Sequence, residues 1–210
     1  MLGKHVLAIA AVGVLSVNRV WGEATMQDLT GFKVAVIATD GFEQAELVEP
    51  VKALKAAHAT VDIVAPKAGS IQGFKHHDKA DRVHVDQVLS QIKSEDYQGL
   101  LLPGGALNAD ALRMVPEAKA FVMAFDQAHK PIAAICHGAW LLVSAGLVRG
   151  RSLTSYHTIQ DDIKNAGGHW QDKEVIHDAN WVTSRQPSDI PAFNREMVQL
   201  FAQAKIPAAR

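Results

Sequence analysis

The sequence predicts an α/β fold, with a mostly parallel central sheet covered on both faces. Three observations predict it. Short runs of branched apolar residues alternate with segments of helical period, each run closes on a turn signal, and three of those signals carry residues suited to chemistry. At 210 residues, 48% of them hydrophobic, the chain is long enough to bury one sizeable core.

The first strand is Phe32 to Ala38, too short for a typical helix and apolar on both faces, ending at Thr39-Asp40-Gly41. Ala45, Leu47, Val51, Leu54 and Ala57 then follow a helical period, with Pro50 predicting a break and restart. Thr60 to Ala65 reads as a second strand and the polar segment Pro66 to Asp81 as a loop or small excursion. Gly99 to Leu102 is a third strand closing on Pro103-Gly104-Gly105. Pro116 suits the first turn of a helix running to about His129, because its missing N–H has no partner to lose there. Pro131 to Ile135 is the fourth strand and leads into Cys136-His137-Gly138, followed by a buried helix that ends at Gly146. Glu174 to Ile176 and Trp181 to Ser184 flank Asp178-Ala179-Asn180 as a hairpin, and an amphipathic helix from about Asp189 to Ala204 ends the pattern. In parallel sheets of this kind ligands sit beyond the carboxyl ends of the strands, which is where Asp40-Gly41-Phe42-Glu43, Pro103-Gly104-Gly105 and Cys136-His137-Gly138 fall.

The 21 basic and 22 acidic residues nearly cancel, and no Lys/Arg run is interleaved with aromatics, so nucleic acid is excluded as an expected partner. A single cysteine allows no internal disulfide. The spacing of the ten histidines supports no structural zinc site, His76 and His77 reading as a solvated pair, and nothing calls for a cofactor. Residues 1–25 resemble a secretory leader: Lys4 precedes the apolar stretch Val6 to Val17, with Gly22 and Ala24 at signal-peptidase spacing. That stretch is too short for a stable membrane anchor. The other reading starts translation at Met26, and both leave a single domain over residues 26–210.

Ala134-Ile135-Cys136-His137-Gly138 has the small-x-nucleophile-x-small form of a nucleophile elbow, at a sharp strand-to-helix turn. A helix N-terminus there favours thiolate over thiol, raising the expected reactivity of Cys136. Gly104 and Gly105 let a backbone N–H approach a substrate carbonyl and, with the His137 N–H, complete an oxyanion hole.

The segments AICHG, DGFEQAEL, LLPGG, LTSY, NAGG and VTSRQPSDIPAFNRE together resemble the PfpI family, from about Lys33 to the C-terminus. That family covers intracellular cysteine peptidases and deglycases and is related to glutamine amidotransferases. The resemblance implies a flavodoxin-like three-layer sandwich in which Cys136 is the nucleophile, His137 the neighbouring base and Glu43 the carboxyl group touching the thiol. It also implies an acid after Pro-Gly-Gly supplied by a neighbouring subunit. Asp110 matches that acid if one residue is inserted after Gly105, which makes a homo-oligomer the expected assembly. Tyr156 stands where some relatives place a second histidine and is read as substrate-binding, with His157 either a pocket residue or a solvated helix start. Ala106 and Ala139 depart from the larger residues of relatives.

The expected function is a cysteine hydrolase acting on peptide or amide bonds or on glycated adducts, with a small-molecule or peptide substrate and a cytoplasmic location, or a periplasmic one if the leader is functional. No histidine after Cys136 is followed two places on by Glu, which argues against a glutaminase. The alternative is a non-catalytic stress protein, a holdase or redox sensor in which Cys136 is oxidised.

Overall fold

The structure is a computed structural model that describes residues 27–205; the leader and the choice of Met26 as start lie outside the described residues. In chain order the elements are β1 (Lys33–Ile37), β2 (Phe42–Glu43), α1 (Gln44–Ala56), β3 (Thr60–Ala65), β4 (Ser70–Lys75), β5 (Asp78–His84), β6 (Gln87–Val88) and β7 (Gly99–Leu102). They continue with α2 (Ala106–Leu112), α3 (Pro116–Gln127), β8 (Ile132–Ile135), α4 (Ala139–Ser144), β9 (Ser152–Leu153), α5 (Gln160–Asn165), β10 (His169–Trp170), β11 (Val175–Asp178), β12 (Trp181–Ser184) and α6 (Ile190–Lys205).

Seven strands form the central sheet in the order β11-β12-β8-β7-β1-β3-β6, parallel except for the edge pair β11–β12. Counting only β1, β3, β7, β8 and β12 in chain order, the sheet reads 2-1-3-4-5, the flavodoxin-like order. Its switch point lies between β1 and β7, where the chain crosses to the other side of the first strand.

Alternation along the strands sorts the core into two layers. Val34, Val36, Leu101, Ala133 and Val182 pack with Leu47 and Leu54 of α1 and Phe193, Met197 and Phe201 of α6. Ala35, Leu100, Leu102, Ile132 and Ala134, one residue out of phase, pack with Phe121 and Phe125 of α3, Leu141 of α4 and Ile163 of α5. A strand buried on both faces needs apolar residues at successive positions, which is why β1, β7 and β8 read as unbroken apolar runs.

One expectation fails and one is narrowed. Helix α1 is continuous from Gln44 to Ala56 with Pro50 inside it, where a break was expected. Pro50 removes only the hydrogen bond to the Glu46 carbonyl, and it lies on the buried side with Leu47 and Leu54, so packing holds the helix across it. Of the two readings of Pro66 to Asp81, the small excursion holds: after residues 66–69 the segment enters the antiparallel hairpin β4–β5, whose first strand also pairs in parallel with β2 in a sheet of its own. An irregularity between Gln72 and Phe74 breaks the period-two pattern by which such a hairpin is read.

Among the described residues, no helix is long and apolar enough to cross a membrane. Because Phe193 is fully buried between α6 and the sheet, Phe193→Ala is expected to cost about 3–5 kcal/mol of stability, read from the midpoint of urea unfolding.

Candidate active site

The ends of β1, β7 and β8 lie side by side because those strands are neighbours in the sheet. Each ends in a turn that turns away from the sheet plane, leaving a cleft of about 710 Å³ between them. Cys136 and His137 stand at its floor, and Glu43, Glu46, Gly105, Leu107 and Tyr156 line it. The tip of the β4–β5 hairpin adds Phe74, His76 and His77 as one wall, and Gln186, Pro187 and Ser188 close another side.

Cys136 follows β8 directly and adopts φ 60°, a left-handed conformation that L residues avoid. The turn ejects the side chain from the strand direction while Gly138 lets the next turn pack on the carbonyl of Leu102, where any Cβ would collide. The thiol is nearly buried, at 6% exposure, yet faces the cleft. The backbone N–H groups of His137 and Gly105 point towards it and favour negative charge there. Gly105 has φ 93°, and a side chain at that position would strike Gly41 and Phe42.

Cys136 Sγ and His137 Nδ1 are 3.3 Å apart, and His137 Nε2 is 3.1 Å from Thr158 Oγ1. Burial lowers the proton affinity of His137, as does the proximity of His157. A neutral imidazole with its proton on Nε2 would donate to Thr158 and leave Nδ1 free to accept from the thiol. Tyr156 stacks beside His137 with ring centroids 4.9 Å apart.

The carboxyl group at the thiol is Glu46, not Glu43. Glu46 is fully buried in the first turn of α1, beside the sulfur of Cys136 and the backbone of Gly104. Neither of its oxygens has a well-formed hydrogen-bond partner. Burial pushes its titration up to about 8, and the charge on Glu43 adds to the rise. At neutral pH Glu46 is therefore protonated, able to donate to the sulfur. Glu43 lines the same cleft three residues earlier, at the end of β2, but its Oε2 accepts a hydrogen bond from the His76 N–H at 3.0 Å.

The thiol differs from expectation as well. Burial pushes its titration upwards, and the ionised form of Glu46 pushes it further, so the helix N-terminus does not dominate. Protonation of Glu46 removes that second effect, which makes the two groups one coupled proton-binding pair.

Thr158 was not foreseen, since a threonine 21 residues after His137 gives no sequence signal. It gives His137 Nε2 a partner within the same chain. Asp110 is exposed on α2 and is not among the residues lining the cleft within one chain. His157 is exposed and lies outside the lining, packed against Tyr156 at 4.4 Å between ring centroids. Gly104 has no Cβ because one there would strike Glu46 and come within 2.6 Å of the Cys136 Cβ. No group of three or more His, Cys, Asp or Glu side chains among the described residues is placed to hold a metal ion.

A doubly wound sheet with a cysteine on an elbow at the carboxyl ends of its strands, flanked by an imidazole and a buried carboxyl, defines a cysteine-centred α/β protein. Residues 32–200 match the DJ-1/PfpI family, and the chain belongs to it. A deglycase of Thermococcus kodakarensis is 40% identical over 168 residues, covering 80% of this chain and 98% of its own. A Bacillus subtilis relative, YraA, named as a candidate cysteine protease, is also 40% identical, covering 80% and 97%. Among solved structures, a cysteine-to-alanine mutant of a DJ-1 superfamily protein from Salmonella typhimurium superposes with a TM-score of 0.70 at 27% identity, covering 80% of this chain and 88% of that one.

A carboxyl whose titration is raised by folding stabilises the protein fully below its unfolded value and loses that contribution as pH rises through the folded one. For Glu46 the window runs from 4.5 to about 8. Glu46→Gln is therefore expected to flatten the decline of unfolding free energy across that window and to be the more stable form at pH 8. The same variant should shift the pH–rate profile of Cys136 alkylation by iodoacetamide; unchanged profiles in both measurements would remove Glu46 from the pair.

Proposed function

We propose that the protein is a cysteine-dependent hydrolase of the PfpI type that acts on peptide or amide bonds or on glycated adducts. The observation that carries this reading is the 3.3 Å approach of Cys136 Sγ to His137 Nδ1 at the floor of an open cleft. As Sγ attacks the substrate carbonyl carbon, His137 Nδ1 takes the thiol proton and the carbonyl electron pair moves to oxygen. The resulting oxyanion sits against the N–H groups of Gly105 and His137. Collapse of the tetrahedral species expels the leaving amine, which takes the proton back from His137, and water then releases the acyl group from sulfur. Thr158 Oγ1 can accept from the His137 Nε2–H in both the neutral and the protonated imidazole.

The names of the two relatives support both substrate classes, and the opening attack is common to them. Turnover of a fluorogenic peptide and of methylglyoxal adducts should fall by about a thousandfold or more in Cys136→Ala. Wild-type turnover no faster than that of the variant on every substrate would favour the stress-protein reading instead.

Assembly belongs to the same proposal. Asp110 and Leu107 share α2, both exposed, Leu107 at 64% while lining the cleft, so a second copy docking on α2 would bring an acid to the mouth of the neighbouring site. With such a homo-oligomer, Asp110→Asn should lower turnover several-fold with little loss of stability, and dilution to monomer should do the same. Full specific activity in a monomer, measured by light scattering alongside the assay, would sink this part of the proposal and leave Cys136 as nucleophile.

A further inference from the structure

The charge of the cleft is one-sided. Glu43 and Glu46 both line it, and among the described residues no Lys or Arg does. Glu46 lies beside the sulfur and is uncharged at neutral pH, its titration pushed up to about 8. Glu43 is different: it is half-buried in the wall, and no ion pair among the described residues includes it. Its negative charge is felt at Glu46, so it acts within the site.

The position of that charge is fixed by the hairpin opposite. The His76 N–H holds Glu43 Oε2 at 3.0 Å, and His76 itself takes φ 57° at the hairpin tip to present that N–H. The hairpin is anchored in turn to the segment that carries both glutamates. Gly41 N–H donates to Gln72 O at 2.8 Å, Gln72 N–H to Asp40 Oδ1 at 2.7 Å, and Gln44 Nε2 to Asp81 Oδ2 at 3.2 Å. One oxygen of Glu43 is thus held by the wall and the other is left for a ligand. A preorganised carboxylate in a cleft lined by no Lys or Arg among the described residues is a receptor for a positive group.

We propose that Glu43 is a specificity-determining residue, which favours substrates carrying an ammonium or guanidinium group beside the reacting carbonyl and disfavours those carrying an anion there. The proposal rests on the reading of Cys136 as the reacting group, and it concerns selection rather than the chemical step.

Cys136 is the only cysteine of the chain, so thiol reagents of different charge read the field at the site directly. The probes are three methanethiosulfonates bearing a trimethylammonium, a plain methyl or a sulfonate group. Each transfers its thioalkyl group to Sγ and releases methanesulfinate, and the rate is followed by intact mass. With the methyl reagent as reference and glutathione as the free-thiol control, wild type should favour the cationic over the anionic probe well beyond the control. Glu43→Gln keeps an oxygen for the His76 N–H while removing the charge, and should lower that preference by about three- to tenfold. In wild type the preference should also shrink between about 0.05 and about 1 M salt, a measurement that needs no variant to fold.

The same cationic preference in wild type and Glu43→Gln, or a wild-type preference equal to that of glutathione or insensitive to salt, would overturn the proposal. These rates do not depend on turnover. An enzyme that turns over the fluorogenic peptide or the methylglyoxal adducts but shows no charge preference would fail here alone, whereas a protein that selects cations without turnover would fail as a hydrolase alone.

Discussion

The side chain of Asn108, fully buried in α2, makes three hydrogen bonds in two directions. Its Oδ1 accepts from the Thr39 N–H at 2.7 Å, and its Nδ2 donates to the carbonyls of Pro103 and Gly104 at 3.1 and 3.0 Å. Thr39 follows β1 and Pro103 follows β7, so one amide binds the two strand ends on either side of the topological switch point. Without Asn108 the Thr39 N–H and the Pro103 carbonyl would lose this partner, and a buried backbone group left unsatisfied costs about 1–3 kcal/mol. Everything in the site hangs from these ends: Gly105 N–H faces the thiol from one, and the other leads through Gly41 and Phe42 into Glu43 and Glu46. The Glu43 N–H closes the frame by donating to Gly104 O at 3.2 Å.

Within that frame the site concentrates unfavourable features that the rest of the fold must offset. Cys136 holds a left-handed backbone, of the order of 1–2 kcal/mol for a non-glycine residue, and Glu46 lies buried with neither oxygen well satisfied. Neutralising Glu46 is the cheapest way to bury it, and the neutral group can donate to sulfur. An ionised Glu46 would oppose the thiolate. In the proposed reaction the state of this carboxyl bears on how easily the sulfur gives up its proton, and burial, by lowering the proton affinity of His137, favours the neutral imidazole that would receive it.

The sequence disclosed the frame more fully than the site. β3, β7 and β12 can be read to the residue from their runs and the turns that bound them, and β1 and β8 to within one residue at an end, so the turn clusters after β1, β7 and β8 follow. Cys136 and the two glycines stand out because the elbow excludes bulk. The glutamates do not separate in the same way. Glu43 and Glu46 are three residues apart, and which of them meets the sulfur depends on where β2 stops and α1 begins, since a strand and a first helical turn send their side chains in different directions. The hairpin β4–β5 was hidden by its exposure and its irregularity, and with it the placing of His76 and His77 on the cleft wall. Thr158 and Asn108 are long-range partners, 21 residues from His137 and 69 from Thr39, and their residue types occur everywhere on protein surfaces.

The two glutamates also show how one short segment can supply two unlike electrostatic functions. Both lie within a single strand-to-helix junction, and their environments diverge because the junction turns between them. Glu46 points into the core beneath Gly104, where the absence of a Cβ leaves room for a carboxyl against sulfur. Glu43 stays at the rim, held by a backbone N–H from a different supersecondary unit. Burial makes the first a proton donor, while the second keeps one oxygen on the His76 N–H at the cleft wall. The separation between them is enforced by the β2–β4 pairing, because Glu43 is paired with Phe74 and cannot follow Glu46 inward without breaking that ladder. The hairpin, which contributes little to the core, is thereby what keeps the chemistry of the thiol and the recognition of the substrate on different carboxyl groups.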